Sequence, residues 1–149
     1  MATINKRTKI VRALVELFKN ITGDSPYSID LFENVKDKLI FWDEVNQYPL
    51  VCVNAGPETR EYQPSDFKWG YLTINIRIYV KGDDAKDQLE KLFSDIEYVL
   101  DANNNLVFDQ ETNETCVDIR ILNISDDEGL LAPLGVGEIV LQVQYAINN

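Results

Sequence analysis

The stretch Trp69-Gly70-Tyr71-Leu72-Thr73-Ile74-Asn75-Ile76-Arg77-Ile78-Tyr79-Val80-Lys81 decides the fold. Leu72, Ile74, Ile76, Ile78 and Val80 fall on one side of an extended chain, and Thr73, Asn75, Arg77, Tyr79 and Lys81 fall on the other. A period of two held this long predicts a strand with one apolar and one polar face. The end of the chain repeats it: within 137–147, Ile139, Leu141, Val143, Tyr145 and Ile147 share a face opposite Val140, Gln142, Gln144 and Ala146. A further long strand is predicted at 115–124, preceded by a short one at 106–109 and a turn at 111–114. Alternation of this kind marks an antiparallel sheet covered on one side.

Two amphipathic helices supply the cover. In 6–21, Ile10, Leu14, Leu17, Phe18 and Ile21 recur at three- and four-residue spacing, broadened by Val11 and Val15, with Gly23 as the stop. Gly82-Asp83-Asp84 breaks the long strand. One of those aspartates is placed to cap a second helix, and Asp87 adds negative charge to its first turn. That helix carries Leu89, Leu92, Phe93, Ile96, Val99 and Leu100 toward the sheet and ends at Asn103-Asn104-Asn105.

The remaining segments are less regular. Pro26 biases Ser25 away from the helical region and opens a loop. In 27–35, Ile29 and Leu31 alternate like an edge strand, while Leu31, Phe32 and Val35 also fit a helical turn; a strand or extended arm is preferred. Residues 38–45, with Leu39-Ile40-Phe41-Trp42, read as a short helical turn. Residues 50–54 read as a brief buried strand bounded by Pro49 and Gly56-Pro57, and 58–66 as an exposed loop or protruding hairpin. The order is helix, strands, helix, strands. The fold class is therefore α+β, a mainly antiparallel sheet with two amphipathic helices packed on it, in a single domain over 1–149.

Composition narrows the function classes. With 149 residues, 45% hydrophobic and 26% charged, the chain suits one core without disulfide or metal staples. No apolar run is long enough for a membrane span, and Ala2-Thr3-Ile4-Asn5-Lys6-Arg7 is polar where a secretory segment would be apolar. Histidine is absent, which excludes Ser-His-Asp and Cys-His mechanisms and His-ligated zinc. Cys52 and Cys116 have no CxxC partner and read as buried free thiols.

The net charge of -11 is uneven: +4 over 1–23, -3 over 24–82 and -12 over 83–138. Such a chain repels nucleic acid, so groove or phosphate binding is not expected. A basic end and an acidic half on one small domain attract each other between copies, and head-to-tail contacts build rings or filaments. The alternative is a solvated surface with a basic helix face.

Candidate chemical sites are weak. Asp126-Asp127-Glu128-Gly129 offers carboxylates to a divalent ion, but consecutive residues converge poorly, and a turn with Gly129 at positive φ explains them more simply. Asp101, Asn103, Asn105, Asp109 and Glu111 echo a calcium loop whose expected glycine and final glutamate are Leu106 and Thr112. A helix C-cap with asparagines in the left-handed region is preferred there. Asp43, Glu44, Glu58 and Glu61 are not oriented across any cleft, and Arg60 between two of them suggests a surface ion-pair loop. Phe67, Trp69 and Tyr71 project from one side and suit a protein contact better than stacked bases. No catalytic residue, cofactor or metal is expected.

Ordered signposts then add up. Phe41-Trp42-Asp43-Glu44-Val45 is followed by Tyr48-Pro49-Leu50-Val51-Cys52-Val53, by Ala55-Gly56-Pro57-Glu58 with Arg60-Glu61-Tyr62, and by Lys68-Trp69-Gly70-Tyr71-Leu72 and Arg77-Ile78-Tyr79-Val80. Later come Asp95-Ile96-Glu97-Tyr98-Val99-Leu100 and the run from Ile124 through Asp126-Asp127-Glu128-Gly129-Leu130-Leu131-Ala132-Pro133-Leu134 to Glu138. The set, from about residue 25 onward, resembles the tail terminator (tail completion) proteins of tailed bacteriophages.

The resemblance implies a non-enzymatic virion protein of the tail or neck, assembled in the host cytoplasm. It implies a homo-hexameric ring on the last ring of tail tube protein, which stops tube growth and meets the head-tail connector proteins while DNA only passes through. A neck or head-completion adaptor of the same connector, or an unrelated protein-binding module, are the alternatives. Expected contact residues are Lys6, Arg7, Lys9 and Arg12 on the first helix; Glu58, Arg60, Glu61 and Trp69 around the hairpin; and Asp126, Asp127, Glu128, Leu130, Leu131 and Leu134 in the late loop. The apolar members of that loop stand where solvation alone favours polar residues.

Overall fold

A computed structural model describes residues 4–148. Ala2 and Thr3, which begin the polar stretch weighed against a secretory segment, lie outside them. The elements run α1 (Lys6–Phe18), β1 (Val35–Lys36), β2 (Leu50–Tyr62), β3 (Lys68–Lys81), α2 (Ala85–Asp101), β4 (Val107–Asp109), β5 (Glu114–Thr115), β6 (Asp118–Asp126) and β7 (Leu134–Ala146), with short 3-10 turns at Trp42–Glu44 and Pro64–Asp66. Five strands form one sheet in the order β1-β2-β3-β7-β6, and β4 pairs with β5 in a second. All pairings are antiparallel except β1 with β2.

The alternation in β3 and β7 translates directly into packing. Leu72, Ile74, Ile76, Ile78, Val80, Ile139, Leu141 and Val143 are fully buried beneath α1 and α2. Each such side chain contributes about 1.5–3 kcal/mol relative to exposure. In α1, Asn5 caps the first turn by accepting from Thr8 N–H at 2.9 Å. The helix ends at Phe18, earlier than the Gly23 stop; Ile21 stays buried because the chain turns back, with Leu31 N–H donating to the Ile21 carbonyl at 3.1 Å. Asp84 sits at the N-cap of α2, but its carboxylate accepts from the Gln88 side chain (2.7 Å) and not from a backbone N–H.

Several sequence expectations are corrected. The brief strand at 50–54 is the first third of a 13-residue strand, which passes Gly56-Pro57 through a bulge between Ala55 and Glu58. A bulge in the β2–β3 ladder, on a stretch of β2 that β1 does not reach, tolerates a proline that has no N–H to give. Residues 58–66 are thus the outgoing arm and tip of a β2–β3 hairpin. The strand expected at 115–124 is broken: Cys116 N–H donates to the Leu106 carbonyl and Val117 N–H to the Gln144 carbonyl, both at 2.8 Å. The chain changes sheet at that corner.

Residues 27–35 form an irregular arm, with one bridge between Thr22 and Asp30 and the two-residue β1 at its end. Nor is the sheet covered on one side only. Leu50, Cys52 and Tyr79 point away from the helices and are buried under Ile40, Val45 and Tyr48, and Tyr79 donates its hydroxyl hydrogen to the Ile40 carbonyl at 2.6 Å. The asparagines after α2 stay out of the left-handed region. Their amides donate to the Val99, Ile119, Cys116 and Val117 carbonyls and close the end of the helix from outside.

Candidate functional site

The residues singled out from sequence gather at opposite ends of the sheet. Trp69 pairs with Ala146 at one end and Lys81 with Leu134 at the other, about 40 Å apart along the strand at 3.3 Å per residue.

At the hairpin end, Glu58 organises a charge cluster. Its side chain is only 4% exposed, accepting from the Tyr145 hydroxyl at 2.5 Å and from Arg60 Nε at 2.7 Å. Burial and the neighbouring carboxylate push the Tyr145 phenol well above its ordinary value, so it stays a donor. Arg7 lies 4.0 Å from Glu58 and donates to the Gly56 carbonyl at 2.8 Å. Lys6 pairs with Glu114 and Lys9 with Asp109, each at 2.8 Å. The Lys9 hydrogen bond, the largest influence on Asp109, lowers that carboxyl to about 2.

Three of the four helix bases expected to reach another subunit are therefore partnered within the chain, where they tie α1 to β2, β4 and β5. Arg12 is exposed and has no carboxylate partner among the described residues. Glu61, exposed on the hairpin, accepts from Gln63 at 2.6 Å, and Trp69 is half-buried edge-on to Phe67, their centroids 4.8 Å apart. Register with β3 puts Glu58 beside Leu72 and Glu61 beside Trp69, on opposite faces of β2. They cannot serve as a convergent carboxylate pair.

At the other end, Asp126 accepts from Glu128 N–H (2.9 Å) and from Lys86 (3.4 Å). Asp127 accepts from Leu131 N–H (3.0 Å) and Val136 N–H (3.2 Å). Glu128 and Gly129 both take positive φ, 55° and 82°. These acids build a turn, and among the described residues no group of three or more His, Cys, Asp or Glu is arranged to hold a metal. The turn presents Leu130, 86% exposed. Leu131 is half-buried, and Leu134 belongs to the start of β7 and not to the loop.

Sequence reasoning missed exposed aromatic side chains on the arm and on the turn that follows β1. Phe32 is 73% exposed, Phe41 61% and Trp42 48%. Phe32 and Glu33 also hold positive φ, 51° and 58°, a conformation that a bulky side chain adopts only under local constraint. The Asp30 carboxylate supplies it, accepting Phe32 N–H at 2.7 Å. The apolar run at 39–42 was visible in the sequence; which of its members face solvent was not. Leu122 on β6, 55% exposed, was hidden by the bulge between Ile121 and Asn123, which resets the alternation.

Among the described residues no group of metal-ligating side chains converges, while Leu130 at one end and Tyr62 (65%) on the hairpin stand exposed, as side chains that meet another protein do. Comparison with known proteins agrees. The model of the bacteriophage tail tube terminator protein family matches residues 4–149. The chain belongs to that family. The tail tube terminator protein p142 of Escherichia phage T5 is 36% identical over 152 aligned positions, covering 95% of this chain and 94% of that protein. Among solved structures, a chain from the virion of a native gene transfer agent particle shares the fold, with a TM-score of 0.57 at 14% identity, covering 92% of this chain and 94% of that one. This terminator is accordingly a structural protein of the virion tail and not an enzyme. No helix among its described residues is long and apolar enough to cross a membrane.

Proposed function

We propose that this terminator caps the tail tube as a hexameric ring, ends its elongation, and gives the head-tail connector a surface to join. DNA passes through the centre of the ring. The observation that carries this reading is the family match, which runs from residue 4 to residue 149. The protomer's two chemically different ends support it. One is a hairpin whose buried Glu58 carboxylate gathers the exposed Arg60 and Arg7, the other a turn that exposes Leu130 above Asp127 and Glu128. A cap must hold two different partners at once, and such polarity suits it. The acidic balance suits a passage through which phosphate moves without sticking.

The test is polymerisation of purified tail tube protein, followed by light scattering. Substoichiometric terminator added during growth is expected to halt the rise and leave tubes of fixed length. Growth that continues unaltered at a terminator excess over tube ends contradicts the proposal.

A further inference from the structure

The geometry points to a docking pocket at the turn end of the protomer, which takes an apolar side chain flanked by Lys or Arg and presented by the head-tail connector. This deepens the capping reading above and rests on it for the connector as partner.

The pocket has a volume of about 190 Å³ and lies where the end of β3, the start of α2 and the β6–β7 turn meet. Ala85 and Leu89 of α2, Ala132 of the turn, and Leu134 and Gly135 of β7 form its apolar walls. The large side chain nearest in the chain does not fill it. Leu130 stands between the lining residues Gly129 and Ala132, yet it is 86% exposed. The turn is held in that shape by Asp127, whose carboxylate accepts the Leu131 and Val136 N–H groups, and by Glu128 and Gly129 at positive φ. A protruding leucine beside an apolar hollow buries little in the free protomer. Under a partner, the hollow encloses an incoming side chain and the leucine is covered by its surroundings, which is how a small surface gains most of its binding energy.

Charge names the partner's chemistry. Asp83, Asp126 and Asp127 line the pocket, and Asp84 and Glu128 adjoin it in the chain. The base among them is Lys86, which donates to Asp126 at 3.4 Å. Lys81, the next base, lies on the other face of the sheet, 5.9 Å from the Tyr48 ring. Asp83 and Glu128 are exposed with no cationic partner among the described residues. The rim is thus net acidic around an apolar floor. A second copy, with its own net charge of -11, is repelled there. A segment that carries Lys or Arg beside an apolar side chain satisfies both parts. Heads and tails are large particles that meet slowly, and an acidic rim repeated in every copy raises the rate at which a basic partner finds it.

Binding of purified heads tests the pocket, read for the free protein and for capped tubes, with melting temperature alongside. Ala132→Phe is expected to fill the hollow and Asp83→Lys/Glu128→Lys to reverse the rim. Each should fold and weaken head binding by roughly tenfold. Rising salt should weaken wild-type binding and leave the charge-reversed variant unchanged. Folded variants of both kinds that bind heads like wild type overturn the pocket and leave the capping role intact. A folded variant that still binds heads but loses tube capping or self-association gives the pocket to the tube protein or to a second copy, and overturns the connector assignment. Wild-type protein that binds heads through the pocket yet never caps a tube supports the pocket and sinks the capping role. Should Ala132→Phe fail to fold, the charge reversal and the salt series decide.

Discussion

Both carboxylate oxygens of Asp95 accept the backbone N–H of Ser28, at 3.0 and 3.1 Å. One of them also takes Ile29 N–H at 3.0 Å. Asp95 is the buried charged residue of α2, 3% exposed, and it ties the arm that leads to Phe32 and β1 to the helix above the sheet. Charge-assisted bonds to backbone donors are stronger than neutral ones. Asp95→Ala is expected to cost about 2–3 kcal/mol in urea unfolding, and Asp95→Asn less, since its amide oxygen still accepts. Equal stability of Asp95→Ala and wild type contradicts this.

Close approach of α2 to β7 depends on Gly137. A Cβ built there meets the Phe93 ring at 2.7 Å, so Gly137→Ala displaces the ring or the helix. The expected loss is about 1–3 kcal/mol, and trimming the ring with Phe93→Leu should recover part of it. Thermal unfolding of the two single variants and the double variant checks the coupling.

Lys9 and Asp109 make stability depend on acid pH. The folded Asp109 carboxyl is lowered to about 2 from its ordinary 3.8, chiefly by the Lys9 hydrogen bond. The stabilisation is therefore complete above the ordinary value and is lost as pH falls through about 2. Carboxyl titration by NMR should find Asp109 in the low range in wild type and higher in Lys9→Met, where only the Glu111 and Thr112 N–H donors still hold it down. An unchanged midpoint contradicts the pairing.

Of the strands that alternate, β3 was legible in the sequence to within one residue, while β7 begins at Leu134, three residues before the start read at 137, because Leu134 to Val136 lie next to a loop rich in the same apolar residues. The two helices were equally plain. What escaped was whatever depends on partners distant in the chain. The strand at 50–54 gave no sign of continuing past Gly56-Pro57, because its outer half is exposed and pairs with β3 on one side only. The apparent strand at 115–124 hid a corner at Cys116-Val117 that the Asn105 amide fixes. Of the interface candidates, charge alone suggested α1. The structure shows Lys6, Arg7 and Lys9 partnered at home, because α1 packs over acids on β2, β4 and β5.

That distinction separates Arg7 from Arg12. Arg7→Glu places an acid next to buried Glu58 and is expected to lower the melting temperature by several degrees. Arg12→Glu should leave the melting temperature within a degree or two of wild type while weakening self-association, more so at low salt. Identical behaviour of the two variants in both measurements contradicts the assignment.

Leu130 touches little within the protomer, being 86% exposed. Leu130→Ser should therefore fold with unchanged stability and lose head-tail joining, measured as the yield of infectious particles from purified heads and tails. Normal joining removes the turn from the docking surface.

Imaging the ends of tail tubes incubated with the purified protein tests the central claim most directly. The account predicts a six-fold ring with an open centre at one end of each tube and none along its length. Bare tube ends beside solitary protomers, at concentrations far above the number of ends, would contradict it.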